Sequence, residues 1–350
     1  MDTQPIRGRG ASDNPANRFD PLTVVRDGWL DPDDPAPRTE LLNDNSRSII
    51  ATNDSPDVGF DTTLNPYRGC EHGCIYCYAR PNHEYLGFSA GLDFETKILV
   101  KGNAPQLLRK ALAAPRWRPR TILLSGVTDP YQPVERRLRL TRRCLEVMAE
   151  FRNPVAITTK SFLVTRDVDL LGELAAFRAA AVTLSITTLD ERLARVMEPR
   201  ASTPARRLEA IAKLAEANIS VGVIVAPVIP GLTDHELPGI VQAAAAAGAH
   251  GAAYIMLRLP HGVSDLFVHW LDQHFPERKE KVLNRIREMR GGKLYDSRFG
   301  ARGRGEGQFA EGIASMFEVA CRKTGLDRSL PQLSTAAFKR PASSQQLQLL

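Results

Sequence analysis

Three cysteines fall within eight positions of "RGCEHGCIYCYAR", residues 68–80: Cys70, Cys74 and Cys77, at the spacing C-x3-C-x2-C. Thiolates grouped this closely can hold metal, and three readings compete. A structural zinc site closes four ligands around one ion, commonly as two C-x2-C pairs. The chain has no second pair, and His72 is poorly spaced to supply a fourth ligand. Chance burial of three cysteines is the second candidate, but the flanking Gly69 and Gly73 permit a tight turn that a packed strand would not use. The third is an iron-sulfur cluster on three thiolates, leaving one iron open to an exchangeable ligand. The other two cysteines are solitary, and Cys144, in the amphipathic "TRRCLEVMAEF", reads as a small core hydrophobe.

Such a loop needs a scaffold, and 350 residues with 43% hydrophobic side chains can build a large core. Cysteine usage fits a reducing compartment rather than a disulfide framework. The sequence shows no apolar run of about 18 residues and no signal or transit pattern at its N-terminus, so it is expected in the cytoplasm, with no membrane partner. Apolar runs ("RTILLSGVTDP", "PVAITTKS", "AVTLSITT", "SVGVIVAPVIPG", "GAAYIMLRLP") alternate with amphipathic stretches such as "DVDLLGELAAF" and the helical pattern over 204–217. Near-continuous Val, Ile and Leu predict parallel strands buried on both faces, joined by right-handed crossovers. With "TTLNPYRG" as a first strand there are six strand-helix units, fewer than the eight of a closed barrel, and "TKILVK" is a further short strand. The expected fold is α/β, a partial (β/α)6 barrel, with the cysteine loop at the C-terminal end of its first strand. Residues 1–45 read as a flexible arm, 46–275 as the barrel, 276–330 as a basic helical extension and 331–350 as a flexible tail.

The cysteine spacing, with an aromatic, Tyr76, just before the last cysteine, resembles the radical S-adenosylmethionine (SAM) superfamily. Within it, "YCY", "TDPYQPVE", "ITTKS" and "LSITTLDE" follow the order of the spore photoproduct lyase-like branch and a bacterial group related to it, over about residues 60 to 270. The resemblance implies a partial radical SAM barrel and a 4Fe-4S cluster on Cys70, Cys74 and Cys77, with SAM on the fourth iron. It further implies reductive cleavage of SAM to a 5′-deoxyadenosyl radical that abstracts hydrogen, and an external electron donor of flavodoxin or ferredoxin type. Carried over by position, Thr128 and Asp129 meet the SAM amino group, a contact that a carboxylate makes by charge-assisted hydrogen bonds. Lys160 meets the SAM carboxylate, as does Arg200 of "MEPRAS". Ser185 meets the ribose or carboxylate, and Tyr76 packs near adenine.

The chain departs from the lyase at one point: Gly126 of "LLSGVTDPY" stands where the lyase's hydrogen-donating cysteine is expected, so photoproduct repair is not implied, and the donor and other catalytic residues are unassigned. Residues 278–304 hold ten Lys or Arg against three Asp or Glu, although the whole chain carries only +6. Such a stripe can track phosphates, which makes DNA or RNA the first substrate class. A small molecule or peptide is second. A non-enzymatic iron-sulfur or zinc redox-sensing module that binds nucleic acid is the alternative of a different class. Sequence alone leaves the oligomeric state open.

Overall fold

The computed structural model describes residues 4–20, 37–57, 59–326 and 332–341. Its strands are β1 (Glu40–Asn43), β2 (Ile50–Thr52), β3 (Thr62–Leu64), β4 (Tyr67–Arg68), β5 (Lys97–Val100), β6 (Ile122–Leu124), β7 (Val155–Thr159), β8 (Ala180–Ser185), β9 (Ser220–Val228) and β10 (Gly251–Met256). The Val/Ile/Leu runs form one sheet in the order β10-β9-β8-β7-β6-β3-β2. From β3 to β10 all neighbours are parallel, the six strands expected of the partial barrel. The helices Leu140–Phe151, Val168–Ala175, Pro204–Glu216 and Leu237–Ala246 return the chain between successive strands from β6 onward. Their apolar sides, among them Leu145, Leu174, Ile211 and Val241, close over Ile157, Val182 and Val223 in one core. Each such side chain contributes about 1.5–3 kcal/mol on burial. Cys144 lies fully inside it, the small hydrophobe its helical pattern implied.

The cysteine loop is reached differently from the simple strand-to-loop passage expected. "TTLNPYRG" is two strands, not one: β3 joins the barrel, whereas β4 pairs antiparallel with β5. Pro66, between them, has no N–H for a ladder, so the chain leaves the sheet there. "TKILVK" does form a strand, in a small separate sheet ordered β1-β5-β4. β2, antiparallel on the edge of the main sheet, carried no signal in the sequence.

The segment 1–45 reads from sequence as a free arm, yet its described parts are tied to the body. β1 pairs with β5, and the Gly10 and Ala11 amides donate to the buried Glu95 carboxylate at 3.0 and 2.9 Å. In the tail, the Lys339 amide bonds to the Phe151 carbonyl at 2.9 Å, while residues 342–350 lie outside the described residues. The basic extension is helical, over Lys279–Glu288, Ala301–Arg304 and Gln308–Thr324. No helix among the described residues is long and apolar enough to cross a membrane.

Candidate active site

Backbone geometry folds the cysteine loop tightly. Gly73 takes φ 67°, a left-handed conformation, and its amide reaches the Cys70 carbonyl at 3.4 Å. The Cys77 amide donates to the Cys74 carbonyl at 3.2 Å, and Cys70 is pinned by its own amide to the Phe94 carbonyl at 2.9 Å. The N-terminal segment crosses directly over this turn: a Cβ on Gly10 would stand 1.8 Å from the Gly73 carbonyl oxygen. Only glycine lets the two backbones approach so closely.

All three thiols are free, and Cys70 and Cys74 are buried. Burial, then neighbouring acidic groups, pushes both well above the ordinary thiol range. They are therefore protonated until a metal's charge displaces the protons. Among the described residues no three His, Cys, Asp or Glu side chains converge at the spacing one ion requires. Three thiols gathered on one turn are donors of the kind that an iron-sulfur cluster takes.

Beneath Cys74 lies a polar network in an otherwise apolar setting. Lys160, just after β7, donates through Nζ to Ser185 Oγ at 2.6 Å and to the Ala226 carbonyl at 3.0 Å, with Glu198 Oε1 at 3.4 Å. Glu198 also accepts from the Tyr76 hydroxyl and from Thr187 Oγ1 at 2.9 Å, and its other oxygen pairs with Arg207. Burial alone raises the Glu198 carboxyl, but Arg207, Lys160 and the Tyr76 hydroxyl hold it down to about 2. The structure thus brings Tyr76, Lys160 and Ser185 into one constellation beside a cysteine. The sequence pointed to Arg200 in "MEPRAS"; the network residue in that stretch is Glu198.

Thr128 and Asp129 sit in the loop after β6 and serve the cysteine loop directly. Thr128 Oγ1 donates to the Gly69 carbonyl at 2.6 Å. Asp129 accepts from the Tyr131 and Lys160 amides, both at 2.8 Å, and from Thr159 Oγ1 at 2.7 Å, with His72 Nδ1 at 3.3 Å. Those four partners fill the roughly four acceptor positions of a carboxylate. Against the burial that would raise it, His72 and these donors keep its carboxyl below the usual range. Asp129 is thereby a strut between β6, β7 and the cysteine loop, and a SAM ammonium reaches it only by displacing one of them. Arg200 does not join the network: it pairs with Glu71 at 3.1 Å and bonds to Thr39 at 3.3 Å, on another side of the loop.

The residue after Cys77 marks the open end of the barrel. Tyr78 is 48% exposed, and its hydroxyl donates to the carbonyl of Gly126 at 2.8 Å. Over its ring, at 4.9 Å, lies the guanidinium of Arg258, two residues beyond the end of β10. Arg258 Nε is buried without a hydrogen-bond partner among the described residues. Glu198, Arg207 and Arg258 were not singled out from sequence as site residues, since each is one polar residue without a spacing motif, and His72 was weighed only as a fourth metal ligand.

His83 packs behind the loop: it is 1% exposed and bonds through Nε2 to the Lys97 carbonyl at 2.9 Å. Burial lowers its pKa from 6.5 to about 4. The unfolded chain therefore takes up this proton first on acidification, and stability falls between pH 6.5 and pH 4, by at most about 3 kcal/mol. Urea unfolding across that window should show the slope, and His83→Gln should flatten it; an unchanged slope in the variant would assign it elsewhere.

Comparison with known proteins places these features in a wider set. Residues 64–244 match the model of the radical SAM superfamily. An uncharacterised protein of Mycobacterium tuberculosis is 39% identical over 232 residues, 66% of this chain and 67% of its own. The radical SAM Nα-GlyT isomerase of Pseudomonas phage M6 is 25% identical over 231 residues, 65% of this chain and 46% of its own. In fold, the chain is similar to a spore photoproduct lyase mutant with bound AdoMet and dinucleoside spore photoproduct, at TM-score 0.55 and 15% identity over 81% of this chain and 78% of that one.

Proposed function

This chain belongs to the radical SAM superfamily, and from that premise we propose that it cleaves SAM reductively and abstracts hydrogen from a nucleic-acid substrate at the barrel mouth. The family uses a 4Fe-4S cluster and SAM, and its enzymes take their electron from an external donor. When bound, the cluster supplies the electron that splits SAM into methionine and a 5′-deoxyadenosyl radical.

The observation that carries the assignment is the set of three free thiols on one tight loop, two of them buried, beside the Lys160–Ser185–Tyr76 network. In this proposal Cys70, Cys74 and Cys77 ligate the cluster. Lys160 and Ser185 hold the SAM carboxylate and ribose, and Tyr76 borders adenine. Thr128 and Asp129 fix the loop from below, with Asp129 turning to the SAM ammonium in exchange for His72. Arg200 has no part in SAM binding. After anaerobic reconstitution, SAM affinity read by the shift of the reduced-cluster electron paramagnetic resonance signal should fall at least about tenfold in Lys160→Met and in Ser185→Ala, the loss of one charge-assisted hydrogen bond. Wild-type affinity in both variants would remove the network from the SAM site.

For the substrate, Arg258 gives the support: a guanidinium at the mouth, over an exposed tyrosine ring, whose Nε has no hydrogen-bond partner among the described residues, suits an anionic group and a stacked base. The lyase whose fold this chain shares was solved with a dinucleoside bound. A nucleotide turned out of its stack into the mouth brings its atoms within reach of the radical. Arg258→Met should weaken binding of a single-stranded DNA or RNA 20-mer at least about fivefold, and Lys281→Ala with Arg287→Ala should lower the salt slope by about 0.7 per phosphate contact removed.

One observation favours a small molecule or peptide instead. Much of the basic extension is neutralised within the protein: Lys279 pairs with Asp272, Arg285 with Glu288, Arg298 with Asp296 and Glu306, and Arg302 with Asp57. Binding of neither 20-mer, with SAM cleavage intact, would select that reading.

A further inference from the structure

Another face of the cysteine loop opens on a basin of about 600 Å³ that shares no residue with the Lys160 network or with the Tyr78–Arg258 mouth. Five of its lining residues are arginines: Arg7, Arg9, Arg38, Arg137 and Arg200. Its one acidic lining residue is Glu71, which directly follows Cys70 and is 4% exposed. Glu71 Oε1 is held by Thr39 at 2.8 Å and by Arg200 at 3.1 Å. Arg9 is fixed to the Glu95 carbonyl at 3.0 Å, and burial, then the nearby Arg200, lowers its pKa against the pull of Glu95 and Glu71.

The rim differs from the basic C-terminal extension. Arg7, Arg38 and Arg137 are exposed and have no carboxylate partner among the described residues, whereas the arginines of the extension largely do. Charge around a concave surface that no described carboxylate offsets steers an oppositely charged macromolecule onto it. The position narrows the class. A substrate must reach the mouth, where Tyr78 and Arg258 stand. The basin instead meets the cysteine loop one residue from a proposed ligand, through Glu71 and Cys70.

We propose that this basin is the docking surface for a small, acidic electron-carrier protein of the flavodoxin type. The carrier loses one electron and the cluster gains it, with no bond formed or broken. The proposal rests on the radical SAM reading, because it needs a cluster on Cys70.

The test is the triple charge reversal Arg7→Glu, Arg38→Glu, Arg137→Glu in the reconstituted full chain. None of the three touches the cysteines or the Lys160 network. Two readouts are taken: direct binding of flavodoxin by calorimetry, and 5′-deoxyadenosine formation driven either by reduced flavodoxin or by dithionite. The expected result at low salt is at least a tenfold loss of flavodoxin affinity and of flavodoxin-driven turnover. Dithionite-driven turnover stays at the wild-type level, and the two proteins converge as salt is raised. Equal loss with both reductants would make the basin a support for the cluster and overturn the proposal. Unchanged flavodoxin binding would overturn it too, as would loss of single-stranded DNA binding with flavodoxin binding intact, which would give the basin to nucleic acid. Failure of the radical SAM reading shows separately, as wild-type protein that forms no deoxyadenosine with dithionite.

Discussion

Cys74→Ala protein folds, retains little iron and forms 5′-deoxyadenosine at less than about a thousandth of the wild-type rate, a loss of about 4 kcal/mol in transition-state terms. The effect is this large because in the proposed site three thiols would share the whole attachment of the cluster, and among the described residues no other His, Cys, Asp or Glu grouping is placed to take over. The fold survives because the loop is held by backbone hydrogen bonds and by Arg80, whose Nε donates to the Cys74 carbonyl at 3.0 Å, none of which uses the sulfur. Cys144→Ala is the matched control. That thiol is more deeply buried, at 0% exposure, but lies in the barrel core. Its removal should cost about 1–2 kcal/mol of stability and leave deoxyadenosine formation unchanged. Iron and sulfide content, mass spectrometry of the nucleoside and urea unfolding check both variants together. Near-wild-type iron and turnover in Cys74→Ala would sink the cluster assignment.

Glu198→Gln is expected to be strongly destabilising, by about 3–5 kcal/mol in urea unfolding at pH 7. Glu198 is 3% exposed and Arg207 1%, so their ion pair is shut off from water, with Lys160 at 3.4 Å as a second cation. Glutamine keeps the shape and some hydrogen bonds but leaves two cations without their counter-charge beside Cys74. The pH dependence has a definite sign. Because the folded carboxyl sits near 2, below its ordinary 4.5, its contribution is complete above about pH 4.5 and is lost as pH falls toward 2. The gap between wild type and variant therefore narrows on acidification through that range. Replacing both partners, Glu198→Leu with Arg207→Met, should be less damaging than the sum of the single changes, since neither ion is then left alone. A single-variant loss under about 1 kcal/mol would mean that water reaches this pair.

Local pattern, which is a property of neighbours in the chain, was enough for much of this protein. Val, Ile and Leu runs long enough to be buried on both faces specified the parallel strands, and their number specified an open barrel. The spacing of Cys70, Cys74 and Cys77, with Gly73 at the turn, specified a loop able to gather three thiols. The resemblance carried by "TDP", "TTK" and "LSIT" pointed to Asp129 and Lys160 after strands and to Ser185 on one; Lys160 does follow β7 directly, and Ser185 is the last residue of β8.

Partners distant in sequence were decided only by tertiary structure. Asp129 reads from sequence as a contact for the SAM amino group, yet its oxygens are taken by groups from two other segments, His72 and residues 159–160. Glu198 and Arg200 stand two residues apart in one turn, and it is the packing of that turn against the loop that sends one inward to Arg207 and the other outward to Glu71. The charge of residues 278–304 is plain from composition, but its neutralisation by Asp57 and Asp272 requires the fold. The arginine basin likewise joins residues 7 to 200, which share no motif. A charge's effect depends on what desolvates it and what stands opposite, and both are set by the path of the whole chain.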